Sequence, residues 1–169
     1  LSNGAKTRMD ISIPLGFQWS AVHCGIKQDP RCADYVLVRC AAGTVGAGVY
    51  TRNRIFAAPV AWDRDHTPAD DVRAVVINSG NANACTGERG WQDVQAMARS
   101  AAEACDARVD QALVMSTGII GEYLPMEKIL PAAARAVSSL GDDERAFMAA
   151  AEGILTTDQG PKVASAALE

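Results

Sequence analysis

Two stretches of this chain pass from an apolar run straight into small polar residues. Val72–Asn78 reads Val-Arg-Ala-Val-Val-Ile-Asn and opens on Ser79-Gly80-Asn81-Ala82-Asn83-Ala84-Cys85-Thr86-Gly87; Val109–Met115 ends in Ala-Leu-Val-Met and opens on Ser116-Thr117-Gly118. Such runs, bounded by Gly and Asn, predict buried strands over 72–78 and 109–115. Behind the first, Val94, Met97, Ala98, Ala101 and Ala102 recur at spacings of three and four, which predicts a helix after Gly90. Behind the second, Pro125 suits a first helical turn, with Met126, Ile129 and Leu130 as its apolar side. Pro131 starts a further helical piece over 132–140, and Gly141 ends it. Asp142 then caps a helix that gives out near Gly153. Upstream, Val36–Arg39 and Gly46–Thr51 read as strands that pair through the intervening Ala-Gly-Thr turn. Asp63–Asp71, charged and carrying Pro68, reads as a surface loop, 154–162 as a polar turn, and Val163–Glu169 as an extended or frayed end. Strand, small-residue loop and helix, used twice in succession, imply an α/β fold, a layered sheet-and-helix domain. Sites form where the ends of adjacent strands converge.

A chain of 169 residues amounts to one domain. Residues 11–169 read as that domain and residues 1–10 as a tag or frayed terminus, with Met9 as a natural start. Aromatics make up only 5%, so Ala, Val, Ile and Leu must fill the core. A net charge of −4 with no basic run argues against a nucleic-acid surface, and no apolar stretch approaches membrane-spanning length. Cys24, Cys32, Cys40, Cys85 and Cys105 are odd in number and contain no Cys-x-x-Cys pair. That pattern argues against a metal site and reads as buried, reduced thiols in a cytoplasmic protein. His23 and His66 read as packing or surface residues ahead of catalytic ones.

The candidate chemistry lies in the loops. Thr117-Gly118 suits either a tight turn or an oxyanion hole made of one hydroxyl and one backbone N–H. The asparagines between 78 and 87 read first as ties for irregular backbone and second as ligand-binding amides. Cys85 has no neighbouring base in the local sequence and reads as a buried thiol. Thr156-Thr157-Asp158, followed by Pro161-Lys162, offers hydroxyls, a carboxylate and an ammonium, either as a helix exit or as a grip on an amino acid's charged groups. Arg52 and Asn53 read as strand-end polar residues or carboxylate binders. Gly43, Gly46 and Gly48 are in the wrong order for a dinucleotide fingerprint, with no helix following. No nucleophile accompanies the Thr117-Gly118 loop.

Several segments, taken in order, resemble the ornithine acetyltransferase (glutamate N-acetyltransferase) family. They are Gly16-Phe17, Gly25-Ile26-Lys27, Tyr50-Thr51-Arg52-Asn53, Ala57-Ala58-Pro59-Val60, the run Val76–Gly87, Ser116–Gly121, Leu124–Ile129, and Thr156-Thr157-Asp158 with Pro161-Lys162. The resemblance implies the family's self-processing fold. A precursor cuts itself in two, and the second chain begins with a nucleophilic threonine whose own α-amine assists proton transfer. It implies that this sequence is the larger part of an α chain, and that its function is to move acetyl from N-acetylornithine to glutamate in cyclic arginine biosynthesis. Family positions carry over to Thr117 and Gly118 as the oxyanion hole and to Thr156 as a substrate-binding residue. The family's Met-Ala-Lys-Gly segment, with its substrate-binding lysine, has no counterpart here, and Lys162 belongs to a different motif. Gln159-Gly160 also stands where the family often has Asp-Thr. The implied partners are the β chain of the same precursor, N-acetylornithine, ornithine and glutamate, in an α2β2 or higher assembly. No metal or bound cofactor is implied; acetyl-CoA is a co-substrate if the enzyme is of the bifunctional kind. The rival readings are an aminopeptidase of the same architecture and a non-catalytic scaffold that has lost the nucleophile.

Overall fold

The computed structural model of the chain describes residues 11–166, so the expectation for residues 1–10 lies outside the described residues. Four strands form one sheet in the order β1 (Phe17–Val22), β2 (Tyr35–Cys40), β3 (Ala74–Asn81) and β4 (Ala112–Ile119). β1–β2 and β2–β3 are antiparallel, while β3 and β4 are parallel. A parallel pair needs a crossover. Here it is α2 (Gly87–Ala104), so the first strand–loop–helix expected from the pattern, together with the second strand, is a βαβ unit.

The period of two along the strands divides the core. Tyr35 and Leu37 of β2, Ala74 and Val76 of β3, and Ala112 and Val114 of β4 face one way. They pack against Val94, Met97, Ala98, Ala101 and Ala102 of α2, against Ile129 of α3 (Met126–Ile129), and against Ala132, Ala133 and Ala136 of α4 (Ala132–Val137). Alanine stripes let these helices lie close to the sheet, which is how a chain poor in aromatics still builds a dry interior. On the opposite face α5 (Glu144–Gly153) covers β1 and β2, where Trp19, Val36 and Ala150 are buried and Phe147 meets Trp19 edge to face at 5.3 Å. Asp143, not Asp142, caps α5: its Oδ1 accepts from the Ala146 N–H at 2.8 Å. The stretch 140–142 is used instead by the Trp19–Gly141 backbone pair.

Two other expectations are corrected. The 46–51 strand does not form; Gly46 makes an isolated bridge with Ala69, and β2 pairs with β1 and β3 instead. The charged 63–71 segment is not wholly a loop, because α1 (Ala58–Asp65) runs into it. The reason is the edge of the sheet. β4 is an edge strand, and α1 satisfies its outward backbone groups: Trp62 Nε1 donates to the Ala112 carbonyl at 2.8 Å, and Asp63 Oδ1 accepts from the Val114 N–H at 2.8 Å. A covered edge cannot recruit a foreign strand there. Among the described residues no helix is long and apolar enough to cross a membrane.

Asp63 carries a pH dependence. Burial pushes its pKa from the ordinary 3.8 to about 6, against the opposing pull of the Val114 N–H and His66. A raised folded pKa means the native state holds this proton more tightly than the unfolded chain does. The contribution is therefore full below about pH 4 and is lost as pH rises through about 6, up to roughly 3 kcal/mol for a shift of about two units. Asp63→Asn keeps an acceptor for Val114 and removes the charge. Its melting temperature relative to the native chain is expected to climb between about pH 4 and pH 7; a flat difference across that range would show that Asp63 does not ionise there.

Candidate active site

The C-terminal ends of β3 and β4 bring the two small-residue loops together. In register, Asn78 stands opposite Ser116, Ser79 opposite Thr117 and Gly80 opposite Gly118, with an irregularity at Gly80/Asn81. The two glycines meet backbone to backbone. A Cβ on Gly118 would lie 2.3 Å from the Gly80 carbonyl carbon, and φ there is +132°. Gly80, with φ +113°, presses instead on the Ile26 side chain. The Ser-Thr-Gly run is thus part of a strand, not a turn after one. Its need for a small residue at 118 comes from the neighbouring strand's main chain.

The asparagines hold this arrangement. Asn78, fully buried, donates from Nδ2 to the Asn81 carbonyl at 2.7 Å and accepts the Ser116 hydroxyl at 2.5 Å. Asn81 donates to the Tyr123 carbonyl at 3.1 Å. Asn83, in the left-handed region at φ 41°, donates to the Gly90 carbonyl at 2.9 Å and accepts the Thr86 hydroxyl at 2.7 Å. These amides replace ladder bonds that an irregular buried loop cannot make. Backbone bonds from Ala82 to Ile119 and from Gly121 to Ala84 then lash the loop to the far side of Thr117-Gly118.

Committed hydroxyls surround an uncommitted one. Ser79 Oγ donates to the Gly153 carbonyl at 2.5 Å, Ser116 is taken by Asn78, and Thr86 by Asn83. Thr117 is part-exposed beside the exposed Gly118, and its hydroxyl has no protein partner among the described residues. Thr156 lies exposed on the segment that leaves α5, three residues after the Gly153 that Ser79 holds. The structure therefore links the Thr117 and Thr156 regions through Ser79. Lys162 pairs with Asp158 at 2.5 Å on the exposed surface, as the sequence spacing allows.

Other candidates are used elsewhere. His66 stacks on Trp62 at 4.0 Å and donates through Nδ1 to its carbonyl at 2.7 Å. His23 Nδ1 lies 3.0 Å from the Cys32 carbonyl and 3.4 Å from Asp34 Oδ2. Arg52 and Asn53 are exposed in an irregular segment, where Asn53 Oδ1 accepts from the Ile55 N–H at 3.2 Å. Gly43 and Gly46 serve turns and a bridge, with no helix following. The expectation of buried thiols is corrected: Cys32 and Cys85 are exposed, Cys85 in the left-handed region at φ 59°, and Cys24 is only part-buried. At Cys24, burial and then the Asp34 charge push the thiol up to about 12. Among the described residues no group of three His, Cys, Asp or Glu side chains is placed to hold a metal ion.

One organising residue escaped the sequence reading. Asp34, fully buried at the start of β2, accepts four backbone N–H groups, from Cys24, Gly25, Ile26 and Lys27, at 2.5–3.1 Å. Burial works against its charge, but these donors outweigh it and hold the carboxyl below its ordinary pKa. Asp34 also accepts the Ser79 N–H on its own carbonyl at 2.9 Å. An acidic residue directly before an apolar strand and eight residues after the Gly25-Ile26 pair was the available signal, though no local rule connects the two.

Residues 18–169 match the ArgJ family. The arginine biosynthesis bifunctional protein ArgJ of Rhodopirellula baltica is 44% identical over 153 residues, covering 90% of this chain and 37% of that protein. The protein of the same name from Geobacter sulfurreducens is 45% identical over 148 residues, covering 88% of this chain and 37% of that protein. Among solved structures, ornithine acetyltransferase from Mycobacterium tuberculosis, complexed with ornithine, aligns with a TM-score of 0.82 at 38% identity, over 86% of this chain and 78% of that one. ArgJ from Bacillus halodurans aligns with a TM-score of 0.80 at 34% identity, over 86% and 74%. The chain spans about two fifths of the length of the curated relatives it matches.

Proposed function

The chain belongs to the ArgJ family, and on that footing we propose that it is the α chain of an acetyltransferase that moves acetyl from N-acetylornithine to glutamate. The reaction runs through an acetyl-threonine on a partner β chain from the same precursor. The partner's threonine hydroxyl attacks the acetyl carbonyl carbon as its proton passes to the threonine's own α-amine, and the carbonyl electrons move onto oxygen. Thr117 Oγ1–H and the Gly118 N–H stabilise that oxyanion. The C–N bond then breaks and ornithine leaves with a proton from the threonine's α-amine. Glutamate's amine attacks the acetyl-enzyme in the reverse sense and regenerates the hydroxyl. Thr156 holds the amino-acid portion of the substrate.

The observation that carries this reading is the uncommitted Thr117 hydroxyl beside Gly118, among neighbours whose hydroxyls are all engaged. A strand that only needed a small residue at 118 gives no reason for this. Exposed Met115, Ile119 and Ile120 flank the pair and support a further chain covering it. Ornithine in the Mycobacterium tuberculosis structure supports the substrate class, and the relatives' bifunctional designation supports acetyl-CoA as a second donor to the same threonine. The same reading places an α2β2 or larger assembly in the cytoplasm.

The test is mass spectrometry of the assembled enzyme after incubation with N-acetylornithine. The β chain is expected to gain one acetyl group on its first residue and to lose it on addition of glutamate. A β chain that stays unmodified while turnover proceeds would overturn the covalent route.

A further inference from the structure

The Gly25-Ile26-Lys27 motif has no part in the proposed acetyl transfer, yet it reaches both halves of the site. Asp34 fixes this loop through its four backbone N–H groups. From that anchored backbone Ile26 packs on Gly80, the residue opposite Gly118. The Lys27 stem also passes Gly80, and its ammonium donates to the Ala33 carbonyl at 2.7 Å and to the Gly153 carbonyl at 3.3 Å. Gly153 is the last residue of α5, and its carbonyl is one of those a helix leaves without an internal partner. Ser79 Oγ donates to the same oxygen at 2.5 Å. A cation there also meets the negative end of the helix dipole.

The packing leaves α5 little freedom at this end. A Cβ on Gly153 would lie 2.6 Å from Val36 Cγ2 and 3.1 Å from Ala21 Cβ, so the helix terminus sits directly on the sheet. The chain then leaves toward Thr156 through bends and turns without regular structure. The exit direction is set at Gly153, where a single oxygen receives one charged donor and one hydroxyl. The charged donor is part-buried, and burial lowers the Lys27 pKa against the pull of Asp34.

We propose that Lys27 is a positioning residue for substrate binding, acting with Ser79 to clasp the Gly153 carbonyl and so aim the Thr156 segment at the Thr117-Gly118 oxyanion site. The proposal rests on Thr156 holding the substrate. It assigns Lys27 no contact with the reacting atoms. Its loss should therefore weaken substrate binding more than it slows the chemistry.

The experiment uses the assembled full-length enzyme and steady-state kinetics with N-acetylornithine at saturating glutamate. Lys27→Met, which keeps the apolar stem and removes the donor, is expected to raise KM about tenfold with kcat within about threefold, the scale of one charge-assisted hydrogen bond. Lys27→Arg is expected to restore KM. Lys27→Gln, which keeps the polar character of this part-buried site, is expected to show the same split and serves if the Met variant does not assemble. The deciding measurement is the double variant with Thr156→Ala. If Lys27 acts through Thr156, its KM equals that of Thr156→Ala alone. Multiplicative effects, or a native KM in an assembled Lys27→Met enzyme, would overturn the clasp. A native KM in Thr156→Ala itself would overturn the substrate role beneath it, and with it the proposal, whatever Lys27→Met does.

Discussion

Thr117→Ala, assembled with its partner chain, is expected to turn over N-acetylornithine roughly 100- to 1,000-fold more slowly than the native enzyme, with little change in melting temperature. The magnitude follows from removing one donor of an oxyanion hole, about 2.7–4 kcal/mol of transition-state stabilisation. The small stability effect follows from the position. Thr117 is part-exposed and its hydroxyl has no protein partner among the described residues, so its removal leaves no buried group unsatisfied. The neighbours would behave in the opposite way. Loss of the Ser116 hydroxyl leaves the buried Asn78 Oδ1 without its donor, and loss of Ser79 leaves the Gly153 carbonyl to Lys27 alone. Thr117→Ser, which keeps the hydroxyl, should recover most of the turnover. The residual rate of Thr117→Ala should show kcat and kcat/KM lowered together, because the hydroxyl acts on charge that exists only in the transition state. Near-native turnover in a folded Thr117→Ala enzyme would remove this residue from the proposed mechanism.

How much of this was legible in the sequence depends on the range of the interaction. The β3–α2–β4 unit was plain, because apolar runs and a three-four alanine and methionine spacing are local properties. β1 was passed over although Phe17-Gln18-Trp19-Ser20-Ala21 alternates apolar and polar residues, a local strand pattern of only six residues with β2 as its partner in the sheet. α1 was hidden by the charges of Asp63, Arg64 and Asp65. Its position is decided by an unpaired Val114 N–H 51 residues away, which Asp63 satisfies. Asp34 illustrates the same limit within the site. Four backbone donors converge on one carboxylate because a loop folds over a strand start, and neither segment carries a mark of the other. The Asn-rich loop was legible in kind but not in detail. Its amides were readable as ties for irregular backbone, while the carbonyl each one serves is a tertiary fact. Thr117-Gly118 reads locally as either a tight turn or an oxyanion hole; the strand register shows the pair within β4, with Gly80 against Gly118, and so removes the turn.

That contact makes a single methyl group costly. Gly118→Ala would place Cβ 2.3 Å from the Gly80 carbonyl carbon, 2.5 Å from its oxygen and 2.6 Å from the Asn81 nitrogen, at φ +132°. All three obstacles are main-chain atoms, so no rotamer change relieves them. The strands must part, and φ must move toward values an L-residue tolerates. Backbone strain and overpacking together are expected to cost about 3–5 kcal/mol, which is a large share of a domain's stability. Gly80→Ala makes the informative contrast. Its φ of +113° is also unfavourable, but its Cβ meets Ile26 Cγ2 at 2.7 Å, the end of a side chain that can turn aside. It should cost less, about 1–3 kcal/mol. Denaturant unfolding of the two variants, with amide hydrogen exchange on β3 and β4, checks both. Gly118→Ala should lose protection at the 78–81 and 116–119 pairing first, together with turnover, because the Gly118 N–H that would face the oxyanion is displaced by the same movement. If Gly118→Ala proved as stable as Gly80→Ala, the close approach of the two strands would not be what demands glycine at 118. The position would then have to be explained by the ligand alone.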